Sequence, residues 1–216
     1  MLSPKKQATN SGNPTTLRVM ILLCALSLTA GCSVQKIPGP PPDLYNLTPK
    51  STFSDNLPEI YKQLTIEEPV ASGGLDNNRI ALRPHSTKLQ FFAGARWTER
   101  APKMAQTLLI ESFENSNKIV AVGRQSIGLR SDFTIKTELR EFQAEHDTED
   151  KTFTVLVRIN AKLVQQPQRV IVGSQSFQHA VEIKDDSGMD AIVIAFDQAT
   201  GRVIKKLVEW TLLKMN

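Results

Sequence analysis

The chain has 216 residues, of which 40% are hydrophobic, 22% charged and 6% aromatic, and its formal net charge is +4. That balance excludes a disordered protein, which is poorer in apolar residues, and a multi-span membrane protein, which needs several long apolar runs. A chain of this length is expected to build one core, and its pI of about 9.1 raises the question of nucleic acid until the charges are located.

The excess charge sits at the front. Residues 1–31 carry Lys5, Lys6 and Arg18 and no acidic side chain, then the apolar run from Val19 to Leu28, then Thr29-Ala30-Gly31. Basic, apolar and small-residue regions in that order are the layout of a secretory signal peptide, and the apolar run is too short for a permanent membrane span. Cys32 follows, and Leu28-Thr29-Ala30-Gly31-Cys32 resembles the lipobox of bacterial lipoproteins, with Thr29 where leucine is commonest. The resemblance implies cleavage between Gly31 and Cys32 and diacylglyceryl and N-acyl groups on Cys32. Cysteine usage agrees: the only other cysteine, Cys24, lies in the discarded apolar run, so no internal disulfide is available to the exported chain. Removal of residues 1–31 lowers the net charge from +4 to +1, so the basic pI supports no nucleic-acid partner. Ser33 stands where an Asp would signal retention at the inner membrane, which by resemblance to sorted lipoproteins favours the periplasmic face of the outer membrane.

Residues 32–42 then read as an acylated cysteine and a tether, since Gly39-Pro40-Pro41-Pro42 forms neither helix nor sheet ladder and favours extended polyproline geometry. A folded domain is expected over 43–216. Leu44 to Leu47 reads as a short strand ended by Pro49, and Gln63–Glu67, Arg79–Leu82 and Lys88–Phe92 as further strands. Ser72 to Asn78 is turn chemistry without the lysine of a phosphate loop. Pro102 opens a helix whose apolar face runs through Met104, Leu108, Leu109 and Phe113 to about Asn115, and Ile119–Val122 is a buried strand.

In the second half, Phe133–Leu139, Phe153–Leu163 and Ile171–Phe177 predict an antiparallel three-stranded meander, joined by the acidic stretch Glu141–Lys151 and by Gln165–Gln168. Asp185-Asp186-Ser187 supply caps for a helix from about Gly188 to Leu212, whose stripe of Ile192, Phe196, Ala199, Val203, Leu207 and Trp210 is to pack on the sheet. The expected fold class is α+β: an α/β sandwich with a mainly antiparallel sheet packed by two helices.

Catalytic chemistry is not evident. His85, His146 and His179 are scattered, no HExxH or GxSxG occurs, and no cysteine is left as a zinc ligand. No catalytic residue, metal site or cofactor is assigned. The acidic run around His146 lacks the alternation and central glycine of a calcium loop and reads as a solvated hairpin tip. Phe91, Phe92 and Trp97 read as core, with Phe92, Arg96 and Trp97 as the alternative partner contact.

Lipobox, proline tether, Tyr45-Asn46-Leu47, Arg79-Ile80-Ala81-Leu82-Arg83, Phe91-Phe92-Ala93-Gly94-Ala95-Arg96-Trp97 and the helix opened by Pro102 together resemble the ABC-type transport auxiliary lipoproteins, a family that includes the lipoprotein of the paraquat-inducible Pqi system. The resemblance implies a fold related to the amino-terminal domain of TolB. It implies a non-enzymatic, lipid-anchored subunit that docks the phospholipid conduit of a mammalian-cell-entry (MCE) protein at the outer membrane. Its implied partners are that MCE protein, an ABC permease and ATPase, and further copies of itself. The alternatives are a structural lipoprotein of envelope assembly or a lipid-anchored hydrolase.

Overall fold

The computed structural model describes residues 39–125 and 130–216. In chain order these form β1 (Asp43–Tyr45), β2 (Ile60–Ile66), β3 (Val70–Ala71), β4 (Arg79–His85), β5 (Lys88–Trp97), α1 (Ala101–Ser116), β6 (Ile119–Arg124), β7 (Phe133–Asp147), β8 (Thr152–Gln165), β9 (Val170–Lys184), a single 3-10 turn (Asp185–Ser187) and α2 (Gly188–Met215).

All nine strands join one sheet organised on β7. One edge of β7 pairs antiparallel with β8 from Phe133↔Gln165 to Asp147↔Thr152, and β8 pairs antiparallel with β9 along its whole length. The opposite edge of β7 receives three strands end to end and all parallel: β2 at Phe133–Ile135, β3 at Glu138–Leu139 and β4 at Gln143–Glu145. Residues 64–83 therefore follow β7 as one interrupted strand. β6 then adds parallel to β2, β5 antiparallel to β4, and β1 parallel to β5.

The sheet is thus mixed, where a mainly antiparallel one was expected. The meander is antiparallel, whereas β2, β3 and β4 all run along β7 in its own direction, and α1 returns the chain to the start of β2, where β6 lies parallel to it. The meander is also longer than its alternation suggested. β7 runs through Glu141 and Glu145 to Asp147, and the connection to β8 shrinks to a turn in which the amides of Glu149 and Asp150 donate to Asp147 Oδ1 at 2.8 and 3.1 Å. β9 likewise extends beyond Phe177 to Lys184.

α1 begins with proline in its first turn and ends at Asn117, whose left-handed backbone (φ 52°) lets its amide donate to the Glu114 carbonyl. α2 starts as expected at Gly188 and continues to Met215, a little past Leu212. The expected side-chain caps are not formed, since no side chain of the 3-10 turn bonds the helix start. Asp190 in the first turn instead places a carboxylate at the positive end of the helix and accepts the Tyr45 hydroxyl at 2.9 Å.

The predicted stripe of α2 is buried from Ile192 to Leu207 and packs on β8 and β9. The facing residues Val155, Val157, Ile159, Ala161 and Leu163 of β8 are fully buried too. At roughly 1.5–3 kcal/mol for each large side chain removed from water, this layer is the main source of stability. Gly173 on β9 allows it, because a Cβ there would lie 2.8 Å from the indole of Trp210.

Residues 46–59 form a strap across both helices. Thr48 donates its amide and hydroxyl to Asp197 of α2 at 2.7 and 2.9 Å, and Ser54 donates both to Glu209 at 2.9 and 2.8 Å. Between them the Lys50 amide donates to Ser112 Oγ of α1 at 2.9 Å. Leu47 and Leu57 bury at the two ends of the strap. Residues 40–42 lead into the fold at β1, on the β1–β5 edge.

Candidate functional site

Gly31 and Cys32, the candidate cleavage and lipid-attachment residues, lie outside the described residues. What the structure describes is where the chain leading from them enters the fold. Residues 39–44 are exposed, and Leu44 pairs with Arg96 in the β1–β5 register, so both side chains stand on the surface where the chain enters β1.

The three candidate partner-contact residues separate. Trp97 is fully buried, with its ring 5.2 Å from Phe196 and 5.6 Å from Phe142, and offers no surface to a partner. Phe92 is half-buried, edge-on to Phe153 at 5.9 Å. Only Arg96 is exposed, and its guanidinium reaches Asn78 at 3.4 Å. The strand geometry accounts for this: Trp97 and Ala95 face the helices while Arg96 between them points away.

The histidines remain apart. His85 ends β4, His146 on β7 stacks on Phe153 at 4.6 Å, and His179 lies in the middle of β9. Among the described residues no group of three metal-ligating side chains converges.

The acidic residues of β7 take part in a network on the sheet face opposite the helices. Glu141 accepts from Arg83 of β4 at 2.9 Å and from Arg158 of β8, and Gln143 donates to Glu141 and Glu145 at 2.8 and 3.2 Å. Arg83 also pairs with Glu145 at 3.1 Å. Burial opposes ionisation of Glu141, but the hydrogen bond from Gln143, the Arg83 charge and the hydrogen bonds from Arg83 and Arg158 outweigh it and hold the carboxyl below its ordinary range. A depressed carboxyl contributes stability that is present above the unfolded value of about 4.3 and is lost as pH falls through the folded one. Glu141→Gln is therefore expected to flatten the stability profile between about pH 5 and about pH 3. It is also expected to cost roughly 1–3 kcal/mol at neutral pH, because Arg158 then loses its carboxylate partner and Arg83 keeps only Glu145. Urea unfolding at a series of pH values checks both, and a variant whose acid slope equals the parent's would assign the network no electrostatic role.

Two of the concavities among the described residues carry several charged side chains. One, of about 870 Å³, lies on the open sheet face beside Gln63, Lys136, Asp132 and Arg169. Lys136 pairs there with Glu67 at 2.8 Å and Asp132 accepts the Gln63 amide at 2.8 Å, while Arg169 has no ion pair among the described residues. The other, of about 600 Å³, lies between the strap, β9 and α2, and brings Lys50, His179, Asp197, Arg202 and Lys205 together. Neither Lys50 nor Arg202 is flagged by any local sequence signal, since their approach depends on the strap crossing α2.

Comparison with known proteins bears on what these surfaces serve. Residues 45–208 match the family model described as the ABC-type transport auxiliary lipoprotein component. The crystal structure of a DUF330-family protein from Xanthomonas campestris is 31% identical, with a TM-score of 0.74 over 80% of this chain and 95% of that one. A second crystal structure, of an uncharacterized protein, has a TM-score of 0.56 at 15% identity, covering 79% of this chain and 99% of that one, and shows likeness of fold alone. An uncharacterized protein of Bradyrhizobium diazoefficiens is 28% identical over 85% of this chain. The chain spans about half the length of that curated relative, 47%.

Proposed function

Because this chain belongs to the ABC-type transport auxiliary lipoprotein component family, we propose that it is the lipid-anchored periplasmic subunit of an MCE-type transport system and docks the phospholipid conduit at the outer membrane. The observation that carries the reading is the order of parts: a lipobox, a proline tether, and a family domain whose match starts at Tyr45. Acylated Cys32 holds the chain at the membrane, and the tether, extended at about 3.1 Å per residue, keeps the domain within roughly 30 Å of it. The β1–β5 edge then faces the membrane, with Arg96 as a contact for whatever sits there. The role is non-enzymatic: the domain binds and positions, and the permease and ATPase supply the work. Kinship with the amino-terminal domain of TolB is part of the same proposal and is supported by two helices packed on a mixed sheet.

Affinity purification of the tagged full chain in detergent tests the reading. An MCE protein is expected to co-purify at a constant ratio, and to do so less when Arg96→Glu reverses the charge at the anchor edge. Reproducible recovery of the chain without any MCE protein would overturn it.

A further inference from the structure

The groove between the strap, β9 and α2 carries more positive charge than its neighbours neutralise. The Lys50 stem passes over Gly201, 3.9 Å from where a Cβ would stand, which brings its ammonium to the side of α2 that carries Arg202 and Lys205. Lys205 is paired with Glu209 at 2.6 Å. Asp197, the acidic residue of the groove wall, already accepts the amide and hydroxyl of Thr48. Arg202 and the Lys50 ammonium have no ion-pair or hydrogen-bond partner among the described residues. Lys50 and Arg202 thus share a concavity with an imidazole, His179, on its sheet wall, where the single carboxylate of Asp197 leaves the cations in excess.

Cations in excess of their counter-ions destabilise a fold unless a ligand relieves them, and a concave wall concentrates their field. We propose that this groove binds a phosphate-type anion, held by the guanidinium of Arg202 and the ammonium of Lys50, with His179 at the back of the site. Arginine offers a planar pair of donors that fits two phosphate oxygens, and lysine adds a point charge. The chemistry is the same for inorganic phosphate and for the phosphodiester of a lipid headgroup.

His179 reports on occupancy. Burial, then the charges of Lys206 and Arg202, holds its imidazole below the ordinary histidine range. Lys50, Asp197 and Lys205 are the other charged groups of the groove. An anion seated there offsets the two cations and moves the imidazole back upward.

The test is proton–carbon NMR of the histidine rings in the full chain purified in neutral detergent, with His179 assigned through His179→Gln. Inorganic phosphate is expected to shift the His179 resonances saturably and to raise the pH of its midpoint, leaving His85 unmoved. Arg202→Gln and Lys50→Gln are each expected to weaken the response about tenfold, whereas Arg140→Gln, on the opposite sheet face, changes nothing. Nanodiscs of phosphatidylglycerol, compared with phosphatidylcholine, separate the two sources. A response to phosphate assigns a soluble anion, and a response confined to phosphatidylglycerol and lost in Arg202→Gln assigns a headgroup. No shift with either probe, or an equal loss in Arg140→Gln, would overturn the proposal.

Discussion

Cys32→Ser is expected to abolish metabolic labelling with radioactive palmitate and to move the chain from the membrane to the soluble periplasmic fraction. The thioether and amide chains on a lipoprotein cysteine are its whole hold on the bilayer. Each buried methylene contributes about 0.8 kcal/mol, so two or three chains anchor firmly where one alone binds only reversibly. Serine presents an oxygen of low nucleophilicity where the sulfur would accept the diacylglyceryl group, so no acyl chain is attached. Cys24→Ser, in the segment to be discarded, serves as the control and is expected to leave both readouts unchanged. Unaltered acylation of Cys32→Ser would move the anchor elsewhere. Folding is not at stake, because Leu47, the first core residue, lies well beyond the tether, so the released domain is expected to unfold at the parent's temperature.

Trp97→Ala acts on the opposite end of the scale, on the domain and not on its anchor. The indole is fully buried and meets Phe142 of β7 and Phe196 of α2, which themselves lie 5.1 Å apart. This trio joins β5, the centre of the sheet and the long helix. Truncation removes the buried area and leaves a cavity that two flanking rings fill only in part, at a cost of about 3–5 kcal/mol. For a domain of this size the melting temperature is expected to fall on the order of 10 °C by calorimetry. Trp97→Phe, which keeps a ring in the site, is expected to recover most of the loss. An alanine variant that melts with the parent would contradict the central place of this side chain.

The same residue illustrates how much of the candidate site was legible. Aromatic residues at a strand end read as core on general grounds, but nothing along Phe91–Trp97 says which face of β5 the helices cover. The choice between Trp97 as core and as contact was settled by its packing against Phe196, 99 positions away in the chain. Glu141 and Glu145 are a second example. Read locally they are a run of charges of the kind that ends a strand, whereas in the fold Arg83 and Arg158 from neighbouring strands neutralise them and β7 continues. Neither arginine is close in sequence, and only strand register brings them opposite.

The sequence by itself carries the proposed order of parts, from export signal through acylation motif and tether to domain, because that reading depends on short contiguous patterns. It determined the strands of the meander and the buried stripe of α2 for a similar reason: burial of one face imposes a period of two or of 3.6 that is visible within a few residues. The tertiary structure alone decided the direction of strand pairing, the three parallel strands along one edge of β7, the course of the strap over both helices, and the groove where Lys50 meets Arg202. Those features rest on contacts between residues far apart in the chain, whose register is set by the fit of whole surfaces and leaves no periodic mark on either segment.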